Sequence, residues 1–270
     1  MLGGDPLRFV LGGLDTEMRE IETLLLNSGY LVEYAKIGQM RVNRSEAYEA
    51  TSPIPMPTDV WVECRPVNYS KSELYSLGID LIDHHQEGDV GYDMPPKQYW
   101  EASSLGQICN RLGIERTQRL NYIAAADHCL LSAYHEQCPE VDREGFLAFR
   151  MEFFNQFHEN PIEYLKELHK RVLSYGQITM LGTKVYDVSS IQGRDRKWLS
   201  DLACCYGIKT VSISQKTNRF KMFVSNLSVK EIDRFCNEYA SSLGNVINVY
   251  GDPKRQFAAA VVEGSYVGKD

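Results

Sequence analysis

GIDLIDHHQEGDVGY, residues 78–92, joins a short apolar run to a polar, glycine-rich loop. Its first five residues have the apolar content of a buried strand, and Asp83, His84 and His85 stand at that strand's carboxyl end. In an open α/β sheet, ligands collect beyond the carboxyl ends of the strands. A carboxylate beside two imidazoles at such a point suits Mn, Mg or Zn chemistry. The same residues would equally serve as a polar strand end with histidines hydrogen-bonded at the surface.

Working back from this stretch, residues 71–76 read as a short helix and 59–63 as a strand, with Glu63 at its carboxyl end. A polar stretch with Pro53, Pro55 and Pro57 precedes it and reads as a surface loop. Residues 30–35 and 7–11 are two further strands. Between them lies a helix with apolar positions at Met18, Ile21, Leu24 and Leu25. Gly12 and Gly13 turn the chain into that helix, and Asp15 and Glu17 sit at its start, where acids also suit the helix dipole. Strands alternating with helices at this spacing predict an α/β fold with a parallel, doubly wound sheet.

Working forward, residues 101–112 read as a helix with Ser103 and Ser104 near its start. Hydroxyls and open N–H groups there can hold a phosphate, or simply cap the helix. Residues 121–134 form an apolar helical run around Asp127 and His128. A carboxylate in such a run needs a partner, either a metal or an internal salt bridge. A helical stretch over 146–173 leads to a second, strand-rich α/β pattern from residue 177. Between its last strands a turn carries Lys254 and Arg255. The predicted division is therefore 1–140, a helical connector over 141–176, and a smaller α/β domain over 177–270.

With 270 residues, 43% hydrophobic and 24% charged, the chain has an ordinary globular composition. A net charge of -7 gives no global attraction to nucleic acid or anionic membrane, so a phosphate-bearing ligand requires a local basic patch or a bound metal. Seven cysteines with no CxxC pair and no preceding secretory signal predict reduced thiols and a cytoplasmic setting. No apolar run has the length of a membrane span.

The order of these signals resembles the DHH phosphoesterase superfamily, whose members include RecJ-like exonucleases, nano-RNases, cyclic-dinucleotide phosphodiesterases and family II inorganic pyrophosphatases. The likeness covers most of residues 7–135, with DHHQEGD its most specific piece. A weaker likeness to the accessory DHHA1 domain covers about 177–264. It implies a metal-dependent phosphodiesterase acting on short single-stranded oligonucleotides or cyclic nucleotides by two-metal in-line attack. The cofactor would be Mn²⁺ (or Mg²⁺), with no membrane partner and room for a homodimer. Carried over by position, the metal ligands would be Asp15, Glu17, Glu63, His84 and Asp127. Glu63 would bridge one site built from Glu17, His84 and Asp127 and another holding Asp15. His85 would face the phosphate and Asp83 would support the histidines; these two are the expected catalytic residues. Ser103, Ser104, Lys254 and Arg255 are the expected substrate contacts.

The chain also departs from the family pattern. No histidine precedes Asp15, glutamates stand at 17 and 63 where aspartates are usual, and Lys254 with Arg255 lies near the place of the DHHA1 histidine. Two other readings follow from these departures: a nucleotide-binding sensor that has lost catalysis, and a hydrolase of small phosphoanhydrides.

Overall fold

The computed structural model describes residues 7–44, 46–153, 160–193, 195–252 and 256–266. It divides into two compact units, Met1–His128 with Gln137–Val141, and Cys129–Glu136 with Asp142–Asp270. No helix among the described residues is long and apolar enough to cross a membrane.

The first unit is built on four parallel strands: β1 (Arg8–Leu11), β2 (Leu31–Tyr34), β5 (Val60–Val62) and β6 (Asp80–Ile82), in spatial order β2-β1-β5-β6. Phe9, Val10, Leu11, Val60, Trp61 and Val62 have no exposed surface, as expected of parallel strands covered on both faces. Helix α1 (Thr16–Asn27) buries Met18, Ile21 and Leu25 on one stripe. Helix α2 (Lys71–Ser76) starts on a capping box of Ser70 and Glu73. The chain goes from β1 to β2 on one side and then crosses to β5 on the other. The topological switch point therefore lies between β1 and β5, where a doubly wound sheet opens its ligand crevice. The predicted α/β class and parallel sheet are what the structure has.

Several elements differ in detail from the sequence reading. The expected loop before Pro53 holds a small hairpin, β3 (Lys36–Ile37) and β4 (Met40–Arg41), turning at Gly38 with φ 61°. Two-residue strands are too short to leave a period in the sequence. The helix expected over 101–112 is two helices, α3 (Tyr99–Ala102) and α4 (Ser104–Leu112), because Ser103 is extended (ψ 148°) and its hydroxyl accepts the Gly106 N–H. Helix α5 (Gln118–Tyr134) breaks at Cys129 (φ -151°, ψ 57°), where the two units divide.

The second unit carries α6 (Arg143–Phe153), α7 (Pro161–Leu173) and a six-stranded mixed sheet. Its strands are β7 (Gln177–Met180), β8 (Thr183–Asp187), β9 (Thr210–Lys216), β10 (Arg219–Ser225), β11 (Val246–Asp252) and β12 (Phe257–Glu263), in order β11-β12-β10-β9-β8-β7. Only the β8–β9 pair is parallel. The start of α7 follows from local chemistry: Asn160 caps it and Pro161 occupies its first turn. Helix α8 (Leu199–Tyr206) buries Asp201, which accepts from Tyr134 at 2.7 Å and from Arg150 at 2.8 Å. Helix α9 (Val229–Arg234) closes the core over Phe220, Met222, Val224 and Ala260.

Candidate metal centre

The loop after β6 is fixed by its own carboxylates. Asp83 Oδ1 accepts from the backbone N–H groups of His84 (2.7 Å) and His85 (3.0 Å), and its Oδ2 accepts from the Tyr48 hydroxyl (2.9 Å). At the far end Asp89 accepts from the Gln86 N–H at 2.7 Å and pairs with Lys71. Asp83 therefore positions the backbone of both histidines rather than their rings. Burial pushes its carboxyl above the ordinary range. Gly91 makes the packing possible: a Cβ there would lie 1.9 Å from the Ala102 carbonyl oxygen and 2.6 Å from His84 Cβ.

Each neighbouring strand end adds an acid. Glu63 follows β5 with a left-handed backbone (φ 49°), and Gly12 accommodates it, since a Cβ at residue 12 would meet the Glu63 carbonyl at 2.4 Å. A non-glycine residue held in this region is a costly conformation of the kind that clusters at functional sites. Asp15 caps α1, with Oδ1 accepting from the Met18 N–H at 2.8 Å. Glu17 lies wholly buried in the first turn, and its Oε1 accepts the Leu105 N–H of α4 at 3.0 Å. Asp127 comes from α5.

These side chains converge on one imidazole. His84 Nε2 lies 3.0 Å from Asp127 Oδ2, 3.3 Å from Glu63 Oε1 and 3.7 Å from Glu17 Oε2. His85 Nε2 is 3.5 Å from Glu63 Oε2 and its side chain is 29% exposed. Ligand atoms of Glu63, His84, His85 and Asp127 all lie within 4.8 Å of one another. His84 Nε2, Glu63 Oε1, Glu17 Oε2 and Asp15 Oδ2 are buried without a hydrogen-bond partner. Three carboxylate oxygens thus surround one ring nitrogen, and none is aligned to receive a hydrogen bond from it. Three of these atoms, His84 Nε2, Glu63 Oε1 and Glu17 Oε2, face one another, and orphaned polar atoms gathered in this way are what a cation site leaves when the cation is taken away.

The electrostatics agree. Burial, with Asp127 and Glu63 nearby, pushes the Asp15 carboxyl up to about 6, and burial beside Asp127 pushes Glu17 well above its usual range. Burial alone would raise Glu63 too, but the imidazoles of His84 and His85 beside it outweigh that and hold the carboxyl low. Burial alone would lower His84, but the surrounding Asp127, Glu17 and Glu63 draw it well above the imidazole range. Four acids share too little positive charge, and a divalent ion would supply it. The donor set of carboxylates and imidazole suits a divalent cation.

Two groups complete the centre that sequence reasoning had left without a role. His128, next to Asp127, sets its Nε2 3.0 Å from the Met94 carbonyl and its Nδ1 3.3 Å from His84 Nδ1. A carbonyl only accepts, so His128 Nε2 donates to it. A neutral His128 then accepts the His84 Nδ1 proton. With a cation in place of the Nε2 proton, that relay keeps the remaining proton on Nδ1 and leaves the lone pair of His84 on Nε2, the tautomer a metal ligand requires. Arg44, in the segment after β4, holds Asp15 (Nε to Oδ2, 3.2 Å) and Asp127 (Nη2 to Oδ1, 3.4 Å). The adjacency of His128 to Asp127 was a usable signal; for Arg44 the sequence offers none.

The remaining expected contacts are placed as follows. Ser103 is buried and spends its hydroxyl on the α4 cap and on the Trp100 carbonyl, while Ser104 is buried with an unpartnered Oγ. Lys254 and Arg255 lie outside the described residues.

No protein-family model matches the sequence, and no curated protein matches it. Among solved structures, the chain is similar to PggH, a pGpG-specific phosphodiesterase from Vibrio cholerae, at 10% identity and TM-score 0.40, over 96% of this chain and 93% of that one. It is also similar to a putative family II inorganic pyrophosphatase from Methanococcus jannaschii, at 13% identity and TM-score 0.25, over 96% of this chain and 95% of that one.

Proposed function

We propose that this chain is a DHH-type, metal-dependent phosphodiesterase acting on short oligonucleotides or cyclic nucleotides. The observation that carries the reading is the set of buried, unpartnered oxygens of Glu17 and Glu63 facing the unpartnered Nε2 of His84, with Asp127 Oδ2 3.0 Å from that nitrogen. Glu17, Glu63, His84 and Asp127 would hold the ion, with Asp15 beside them. A divalent ion held there would supply Lewis-acid polarisation of a phosphoryl group and a nucleophile at neutral pH.

The chain's own residues do the rest. Asp83 holds the backbone that aims both imidazoles, and His128 keeps the His84 proton on Nδ1. His85 is the more open of the two rings and is drawn above the usual imidazole range, since the pull of Glu63 overcomes the effect of burial. It can therefore reach solvent as a proton donor to a leaving oxygen or as a partner for phosphoryl charge. An acidic protein with so local a cation site suits a short or small nucleotide better than long duplex DNA.

The test is hydrolysis of a linear dinucleotide, a cyclic dinucleotide and pyrophosphate, each with Mn²⁺, with Mg²⁺ and with chelator. Mn²⁺-dependent cleavage of a dinucleotide or cyclic dinucleotide is expected. Phosphate release from pyrophosphate alone would replace this reading with the phosphoanhydride hydrolase. Nucleotide binding without turnover of any of the three would replace it with a sensor.

A further inference from the structure

The position of Arg44 is the part of this centre that the motif series does not account for. Its guanidinium bridges two acids of the cluster, 3.2 Å from Asp15 Oδ2 and 3.4 Å from Asp127 Oδ1. Those side chains are 11% and 12% exposed, whereas that of Arg44 is 54% exposed. The cation thus covers the solvent edge of the acidic cluster. Its arrival there depends on Gly13: a Cβ at residue 13 would lie 2.6 Å from Arg44 N and 2.9 Å from both Arg44 Cα and Asn43 C. These are backbone atoms, so any side chain at residue 13 would push the Arg44 segment off the cluster. A glycine two residues before Asp15 and an arginine far along the chain are in this way one structural device.

Asp15 also stands apart from the tight group of ligand atoms. Glu63, His84, His85 and Asp127 lie mutually within 4.8 Å; Glu17 and Asp15 are outside that group, but Glu17 Oε2 is 3.7 Å from His84 Nε2 whereas Asp15 Oδ2 is 3.2 Å from Arg44 Nε. A second divalent ion held by Asp15 and Glu63 would have to take the Asp15 oxygen that Arg44 holds, and would sit against a fixed positive charge. We infer that Arg44 is the second cation of the centre: one divalent ion binds among Glu17, Glu63, His84 and Asp127, and the guanidinium occupies the ground between Asp15 and Asp127 that a second ion would need. A guanidinium carries five N–H donors in a planar fork, and only part of that fork is turned to the acids. Its exposed edge is open to a phosphoryl oxygen, so Arg44 would bind the substrate's charge at the solvent edge of the cluster. This deepens the phosphodiesterase reading and rests on the metal centre that reading requires.

Calorimetric titration of the metal-stripped, full-length protein with Mn²⁺, checked by elemental analysis after desalting, tests it without reference to turnover. The unaltered protein should take one Mn²⁺ per chain. Arg44→Gln, which keeps the side chain's bulk and removes its charge, should take two, and adding Asp15→Asn to that variant should return the count to one. Asp15→Asn alone should leave the single ion in place. Two ions in the unaltered protein, or one in Arg44→Gln, would overturn the role given to Arg44 and leave the metal centre standing. No ion in either protein would overturn the centre itself, and the inference with it.

Discussion

His84 can serve a metal through Nε2 because its Nδ1 is committed to His128, and His128 is in turn committed to the Met94 carbonyl. Its neighbour His85 has a different environment, being partly exposed with its Nε2 3.5 Å from Glu63 Oε2. The two imidazoles should therefore fail differently. His84→Ala should abolish Mn²⁺ binding measured by calorimetry and turnover with it, whereas His85→Ala should keep the ion and lower kcat by about 10²–10³, the usual cost of losing one stabiliser of transition-state charge. Equal loss of metal in both variants would show that His85 is a ligand as well. His128→Phe keeps the ring volume and removes the acceptor for the His84 proton. It should weaken Mn²⁺ affinity about 10- to 100-fold, the usual effect of removing the partner that orients a ligand histidine, and unchanged affinity would refute the relay. At this scale the sequence was informative where chemistry and position coincide. Asp83, His84 and His85 end an apolar run, and Asp127 interrupts one. It was silent where a residue matters only through where the chain carries it: Arg44 follows a hairpin too short to have a period, 29 residues from Asp15 in sequence.

Among the elements, the centre depends on close approaches that only glycine permits. The strand order puts the ends of β1 and β5 at the switch point, with β6 next to β5. That much follows from alternating strands and helices and was readable in advance. The break between α3 and α4 was not. A run with helical apolar spacing gives no sign that Ser103 will turn extended and cap a new helix, because an N-cap serine and a helical serine look alike in sequence. The break matters because it brings the Ala102 carbonyl against Gly91, and Gly91 against His84. Gly91→Ala should force this junction apart. Overpacking of this kind costs about 1–3 kcal/mol, and here the clash is with backbone, which yields less readily than a side chain. Denaturant unfolding should report that loss, and Mn²⁺ affinity should fall with it because His84 is the second group displaced. A variant with full stability and full affinity would mean that the loop has room the geometry denies it.

For the whole molecule, the centre is a concentration of unbalanced charge built into the unit that holds the parallel sheet. Glu17 and Glu63 are 1% and 6% exposed, and Asp15 and Asp127 line the same cluster with little exposure of their own. Buried like charges disfavour the folded state unless a cation joins them. An ion that binds the folded chain and not the unfolded one stabilises it by mass action, about 2.7 kcal/mol at a free concentration one hundred times Kd. For a unit of this size that corresponds to an increase in Tm of about 5–10 °C. Scanning calorimetry of the metal-stripped protein with and without Mn²⁺ should show that increase, and chelator should reverse it. His84→Ala should lose the shift while His85→Ala retains it, because only the first of these imidazoles sits among all three acids. The comparison separates a resident ion from loose counterion attraction to an acidic protein. Attraction of that kind would raise Tm in every variant alike, would follow ionic strength, and would weaken as salt screens the surface charge. A shift that survives His84→Ala would therefore remove the metal centre from this fold, whatever activity the protein displayed.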